Sequence, residues 1–361
     1  MADQPQDPPA LPSVHTTSLV EVFRQLGLSV ALSTYQAGKL VLVRADGDTV
    51  NTHFRNFSQP MGLAYDRGWL SVGTKTGVQE FRNQPAATAR LNPPGKYDAL
   101  FLPRAAHTTG NIAVHELEYV EDELWVVNTR FSCLCTLHRD YSFVPRWRPK
   151  FVSALSPEDR CHLNGLAVVD GAPRYVTALG ATDSNAAWRA DKARGGVLLD
   201  VPSGEIISRG LSMPHSPRWY RGRLWVLESG AGSVSVVDLA SGRLDTVALL
   251  PGFTRGLDFV GNLAFVGLSQ VRESALFSGI PITDRLAVEQ RWCGMCVLDV
   301  DSGQIVAFLR FEAGVQEVFA VRVLPGLRFP DLLNLDSDDP IANSFVLPDE
   351  ALADVPAGLT G

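Results

Sequence analysis

The chain has 361 residues, 45% of them hydrophobic and 20% charged, the balance of a soluble globule with a large core. Its formal charge of −7 disfavours nucleic acid, whose phosphates need a basic stripe. No apolar run is long enough to span a bilayer, and the acidic, proline-rich start lacks the basic head and apolar core of a secretion signal, so a cytoplasmic protein without membrane contacts is expected.

In chain order, residues 1–17 read as a disordered arm, polar and without periodicity. Ser18-Leu19-Val20-Glu21 has the spacing of a capping box with apolar Phe23 and Leu26 behind it, which predicts a short helix over 18–27. From 28 to 348 the pattern changes to short apolar runs bounded by Gly, Asp and Asn, which predicts one all-β unit, and 349–361 reads as a flexible tail. Within that unit a strand recurs as Met61–Tyr65, His115–Tyr119, Asn164–Val168, Ser216–Tyr220, Arg255–Phe259 and Glu317–Val321, and in five of the six a turn and a second apolar strand follow. Strands apolar on both faces, repeated in this way, predict a β-propeller of six blades, with seven as the alternative count. Strands near Ala31–Tyr35 and Lys39–Arg44 are expected to share a blade with Ser344–Leu347 and so close the ring. Three copies of one turn support the repeat: Asp200-Val-Pro-Ser-Gly204, Asp238-Leu-Ala-Ser-Gly242 and Asp299-Val-Asp-Ser-Gly303, where Gly supplies a positive φ and Asp and Ser bond their own backbone.

Polar residues at the starts of inner strands converge on the mouth of a propeller channel. There stand His115 with Glu116, His162 with Asn164, His215, and Arg255. Three histidines at nearly one repeat phase point to a divalent ion (zinc, iron, manganese or calcium) held by His115, His162 and His215. The competing reading is that these imidazoles tie neighbouring blades together by hydrogen bonds. Glu116 and Glu228 are candidate proton carriers beside Asn164. Asn128 ends a second strand at the same mouth, and Arg218, Arg255 and Arg272 offer planar forks to an anionic substrate. The insertions Ala181–Gly195 and Arg272–Arg291 are longer than hairpins require, and the second reads as a flap over the mouth with Arg272 facing the site. An odd count of five cysteines argues against a disulfide scaffold, and Cys293-Gly-Met-Cys296 runs into a strand rather than opening a redox helix. There is no glycine-rich phosphate loop and no nucleophile elbow.

The phrases Pro214-His215-Ser216-Pro217-Arg218-Trp219, His162-Leu163-Asn164-Gly165-Leu166 and Gly110-Asn111-Ile112-Ala113-Val114-His115-Glu116 resemble a bacterial family of conserved hypothetical proteins over about residues 28–348. That resemblance implies the fold and names no reaction. The architecture is also distantly similar to gluconolactonase and peptide-amidating lyase propellers, which hold a metal in the channel. The function expected is therefore a metal-dependent enzyme of hydrolase or lyase type acting on a small polar or anionic molecule. The alternative is a non-catalytic scaffold for a peptide, glycan or protein.

Overall fold

The three Asp-Ser-Gly phrases form one and the same turn. In each, the glycine (φ 68°, 71° and 70° at Gly204, Gly242 and Gly303) donates its N–H to the aspartate carbonyl at 2.8–2.9 Å. The aspartate carboxylate takes the serine N–H or hydroxyl at 2.6–2.9 Å. These turns join the third and fourth strands of three successive four-stranded antiparallel blades, so a local signal marks a global repeat.

The computed structural model describes residues 11–271, 278–335 and 341–356. Its strands form six sheets, numbered here as blades in chain order. The inner strands of blades 2 to 6 are Leu63–Asp66, Val114–Val120, Leu163–Val169, Pro214–Tyr220 and Phe253–Val260. Blade 1 takes its outer three strands, Leu28–Thr34, Lys39–Asp46 and Thr49–Asn56, from the start of the ring and its inner strand, Ala320–Pro325, from the end. Ring closure therefore falls on Ala320–Pro325 and not on Ser344–Leu347, which lies outside every strand. The physical reason is composition: Val321, Val323 and Leu324 bury almost completely, whereas Phe345, Val346 and Leu347 remain exposed.

Terminal segments cover two outer edges. Ser13–His15, which the sequence placed within a disordered arm, pairs antiparallel with Ile305–Phe311 on blade 6. Pro330–Leu332 runs parallel to Ala99–Thr108 on blade 2. The helix spans Thr17–Leu26 and buries Leu19, Val20 and Phe23 against blades 1 and 6. Ser18 does not cap it; it lies inside the first turn and its hydroxyl donates to the Val306 carbonyl. Core clusters sit between blades rather than within any one, joining blades 3 and 4, 4 and 5, and 5 and 6 in turn. A blade is thus held by its neighbours, and removing one buried leucine side chain from such a seam costs about 2–5 kcal/mol. All five cysteines are free and buried.

Inner strands crowd most closely one residue past the mouth. A Cβ on Gly62 would stand 2.9 Å from the Glu116 Cα, and one on Gly256 only 2.6 Å from the Val321 nitrogen. Glycine is required there because two backbones meet.

Candidate functional site

The inner-strand registers place Met61, His115, Asn164, His215, Arg255 and Phe319 at one level around the channel mouth. His115 and His215 are strict equivalents. Each follows by two positions a residue in the left-handed region, Ala113 (φ 53°) and Met213 (φ 47°), and each directs Nδ1 at that residue's carbonyl, at 3.4 and 2.9 Å. Each also meets a hydroxyl fourteen positions on, Thr129 at 2.8 Å and Ser229 at 2.9 Å. In blade 4 Asn164 occupies that level, and His162, itself left-handed (φ 52°), stands at the position of Ala113. This two-residue offset brings the His162 ring across to blade 3.

The outcome is a pair. His162 Nε2 lies 3.1 Å from His115 Nε2, with ring centroids 4.7 Å apart and the rings nearly perpendicular. The Asp159 carboxylate holds His162 Nδ1 at 2.9 and 3.0 Å and also accepts the Trp188 indole N–H at 3.1 Å. Trp188, from the 181–195 insertion, packs on the His162 ring at 4.4 Å. The proton positions follow from these partners. Thr129 donates its hydroxyl proton to the Leu163 carbonyl at 2.5 Å, so toward His115 it acts as acceptor and Nδ1 carries the hydrogen. Asp159 likewise fixes the proton of His162 on Nδ1. Two Nε2 lone pairs then face each other across 3.1 Å, and only a positive centre between them, a proton or a cation, makes that favourable.

His215 stands apart. Its ring is nearly parallel to that of His115 with centroids 6.4 Å apart, against 4.7 Å between His115 and His162. Among the described residues, no three His, Cys, Asp or Glu side chains converge on one ion position. Of the three histidines expected at the mouth, His115 and His162 meet directly, and His215 neighbours them. Burial, joined by His162 and Arg255, holds His115 well below the ordinary imidazole range. Burial, with Arg255 and His162, does the same for His215. Both are neutral imidazoles at physiological pH.

Arg255 lies over Phe319, its guanidinium carbon 3.3 Å from the ring centroid, and Phe319 also packs on His115 at 5.1 Å. Its Nη1 donates to Glu317 at 3.0 Å. Burial lowers the Arg255 guanidinium to about 10, leaving it charged, and burial raises the Glu317 carboxyl. Tyr35 also packs on Phe319, at 5.8 Å.

Several expected site residues do other work. Arg218 and Glu116 do not face the mouth: they bond each other within the channel, joined by Glu118 at 3.3 Å from Arg218 and by Arg322, which bonds Glu118. Arg218 is fully committed, with Nε donating to the Leu257 carbonyl at 2.9 Å and Nη1 to those of Leu166 and Pro217. Burial lowers its pKa, but the charges of Glu116 and Glu118 more than reverse this and hold it above the ordinary value. Glu116 is therefore an ion-pair partner and not a free proton carrier. Glu228 accepts the Ser212 N–H at 3.0 Å, and Asn128 accepts that of Phe131 at 3.0 Å in the turn after its strand. Asn164 accepts from the Thr177 hydroxyl at 2.7 Å, while its buried Nδ2 has no hydrogen-bond partner among the described residues. Arg272 falls outside the described residues. The described part of its insertion, 278–291, packs Ile280 and Ile282 with Trp188, Met213 and Phe253, on the same flank of the mouth. Spacing alone missed Asp159, Ser229, Trp188, Phe319 and the Glu118–Arg322 pair. The signals available were the three-residue step from Asp159 to His162 and the shared step of fourteen to Thr129 and Ser229.

Fold and site together define a six-bladed propeller whose channel is plugged by buried ion pairs and whose mouth carries two neutral histidines, a third bound to an aspartate, and one arginine. A model of a domain of unknown function, DUF4915, matches residues 17–333, and the chain belongs to that family. Among solved structures it is similar to one from a nidogen/laminin complex, at 9% identity and TM-score 0.51, covering 83% of this chain and 99% of that one. It is similar also to a protein of unknown function from Bacteroides caccae, at 9% identity and TM-score 0.51, covering 82% and 99%. At such identity the likeness concerns the fold alone. No curated protein matches. Among the described residues, no helix is long and apolar enough to cross a membrane.

Proposed function

We propose that the chain is a metal-dependent enzyme of hydrolase or lyase type, with its site at the channel mouth and a small polar or anionic substrate. One observation carries the reading: two imidazoles whose Nδ1 protons are fixed by Asp159 and Thr129 present their Nε2 lone pairs to each other at 3.1 Å. That separation suits two ligands of one divalent ion, and a carboxylate behind a ligating histidine is the usual outer partner that orients it. His115 and His162 would hold the ion, which when bound would supply a Lewis acid and an activated water. Arg255 anchors negative charge beside them, and His215, neutral and outside the pair, is placed to accept a proton at Nε2. Trp188 and Phe319 wall the site and restrict water. The five unpaired cysteines support a cytoplasmic location.

Elemental analysis of protein purified without chelator tests the reading. Stoichiometric zinc, iron, manganese or calcium that is lost in His162→Ala and kept in His215→Ala is the expected result. Absence of metal, with no thermal stabilisation by any of these ions, overturns it. The scaffold alternative predicts instead that partner binding survives both substitutions.

A further inference from the structure

Three arginines are buried in or near the channel, and they differ in what their forks hold. Arg218 donates through Nε, Nη1 and Nη2 to carbonyls and to Glu116. Arg322 donates through Nε to the Leu63 carbonyl and through Nη2 to Leu117 and Glu118. Arg255 uses only Nη1, toward Glu317; among the described residues Nε and Nη2 have no protein acceptor, although the side chain is only 11% exposed. Stacking on Phe319 fixes the plane of this open edge, and the same phenyl ring packs on His115, so the edge belongs to the histidine site.

We propose that the ligand of the mouth is a monocarboxylate whose two oxygens bind side-on to the Nε–Nη2 edge of Arg255. The proposal deepens the reading of the mouth as a ligand site and rests on it. An arginine edge offers two parallel N–H donors at the spacing of carboxylate oxygens, a match that lysine, a point charge, does not provide. Glu317 on the neighbouring nitrogen sets the charge limit. It offsets much of the guanidinium charge, so in metal-free protein a second negative charge on the ligand would face a carboxylate with no further cation to balance it. The other channel arginines are already paired with Glu116 and Glu118. Phosphate dianion and sulfate are therefore disfavoured at this edge in metal-free protein, and the ligand's remaining polar groups are left to the imidazoles.

The probes are acetate, lactate, succinate, inorganic phosphate and sulfate at constant ionic strength, titrated into chelator-treated and metal-loaded full-length protein, with thermal shift and tryptophan fluorescence as readouts. The expected result in chelator-treated protein is saturable binding of acetate or lactate at least tenfold tighter than phosphate, weakened at least tenfold in Arg255→Lys, whose metal content after loading is unchanged. Glu317→Gln is expected to narrow the gap by strengthening phosphate binding, and it keeps the test open should Arg255→Lys fold poorly. Carboxylate binding that is equal in wild type and Arg255→Lys, or that does not exceed phosphate binding in chelator-treated wild type, overturns the proposal. If carboxylates bind through Arg255 and the protein takes up no metal, the metal reading fails and this one stands. If metal binds and carboxylates do not, the reverse holds.

Discussion

Replacing Arg218 by methionine would leave Glu116 buried with Arg322 as its nearest cation, 3.9 Å away, and would release the carbonyls of Leu166, Pro217 and Leu257 from their donor. Glu116 and Arg218 side chains are 7% and 10% exposed, so solvent offers little screening. Breaking one side of such a pair costs about 3–5 kcal/mol, because a charge is stranded rather than because the pair was strongly stabilising. Urea unfolding followed by circular dichroism and tryptophan fluorescence should show the midpoint fall by about 1–1.7 M, for an m-value of roughly 3 kcal/mol/M. Glu116→Gln alone should cost less, since Arg218 keeps Glu118 at 3.3 Å. The double variant should be more stable than the sum of the two predicts, by roughly 1–3 kcal/mol of coupling. A control pair on the surface, Lys150–Glu205, with side chains 65% and 72% exposed, should contribute far less because solvent screens it. If Arg218→Met costs no more than that control, or the two channel substitutions simply add, the plug is not a desolvated network and the reasoning fails.

Asp331 is buried, which by itself raises its pKa, but His53 at 2.9 Å, Arg55 at 2.8 Å and the Leu332 amide together hold it down at about 2. A carboxyl depressed from an unfolded value near 4 contributes stability above that pH and loses it as pH falls toward about 2. Melting temperatures of wild type and Asp331→Asn should therefore converge between pH 5 and pH 2; a constant gap would refute the pairing. Thr129→Val removes the nearer acceptor of His115 Nδ1–H, leaving the Ala113 carbonyl at 3.4 Å, and zinc or manganese titration by calorimetry should show affinity reduced about 10–100-fold with circular dichroism unchanged. Unaltered affinity would separate Thr129 from the site. Gly242 and Gly222 share φ 71°, but a Cβ on Gly242 would stand 2.1 Å from the Ile207 carbonyl while one on Gly222 meets nothing within 4 Å. Alanine should cost about 1–2 kcal/mol at Gly222 and clearly more at Gly242; equal urea midpoints would contradict the packing of that turn.

Much of the fold was written locally. The Asp-Ser-Gly turns, the inner-strand phrases and the partner strands after them each depend on a few adjacent residues, and burial on both strand faces follows from their apolar runs. Ring closure was misplaced because Ala320–Pro325 and Leu28–Thr34 are nearly three hundred residues apart, and strand pairing over that distance leaves no local mark. The chemistry divided in the same way. Residue type and repeat phase brought His115, His162, His215 and Arg255 to one mouth, since a propeller gathers equivalent positions around its axis. Which of them meet was decided only in three dimensions. A two-residue offset and a left-handed backbone at His162 turned its ring toward His115, where Asp159 and Thr129 fix the protons. Arg218 and Arg255 look alike in sequence, each within an apolar strand. The carboxylate one finds and the open edge the other keeps depend on neighbours from blades far away in the chain, because desolvation forces a buried charge to take whatever partner the assembled ring provides.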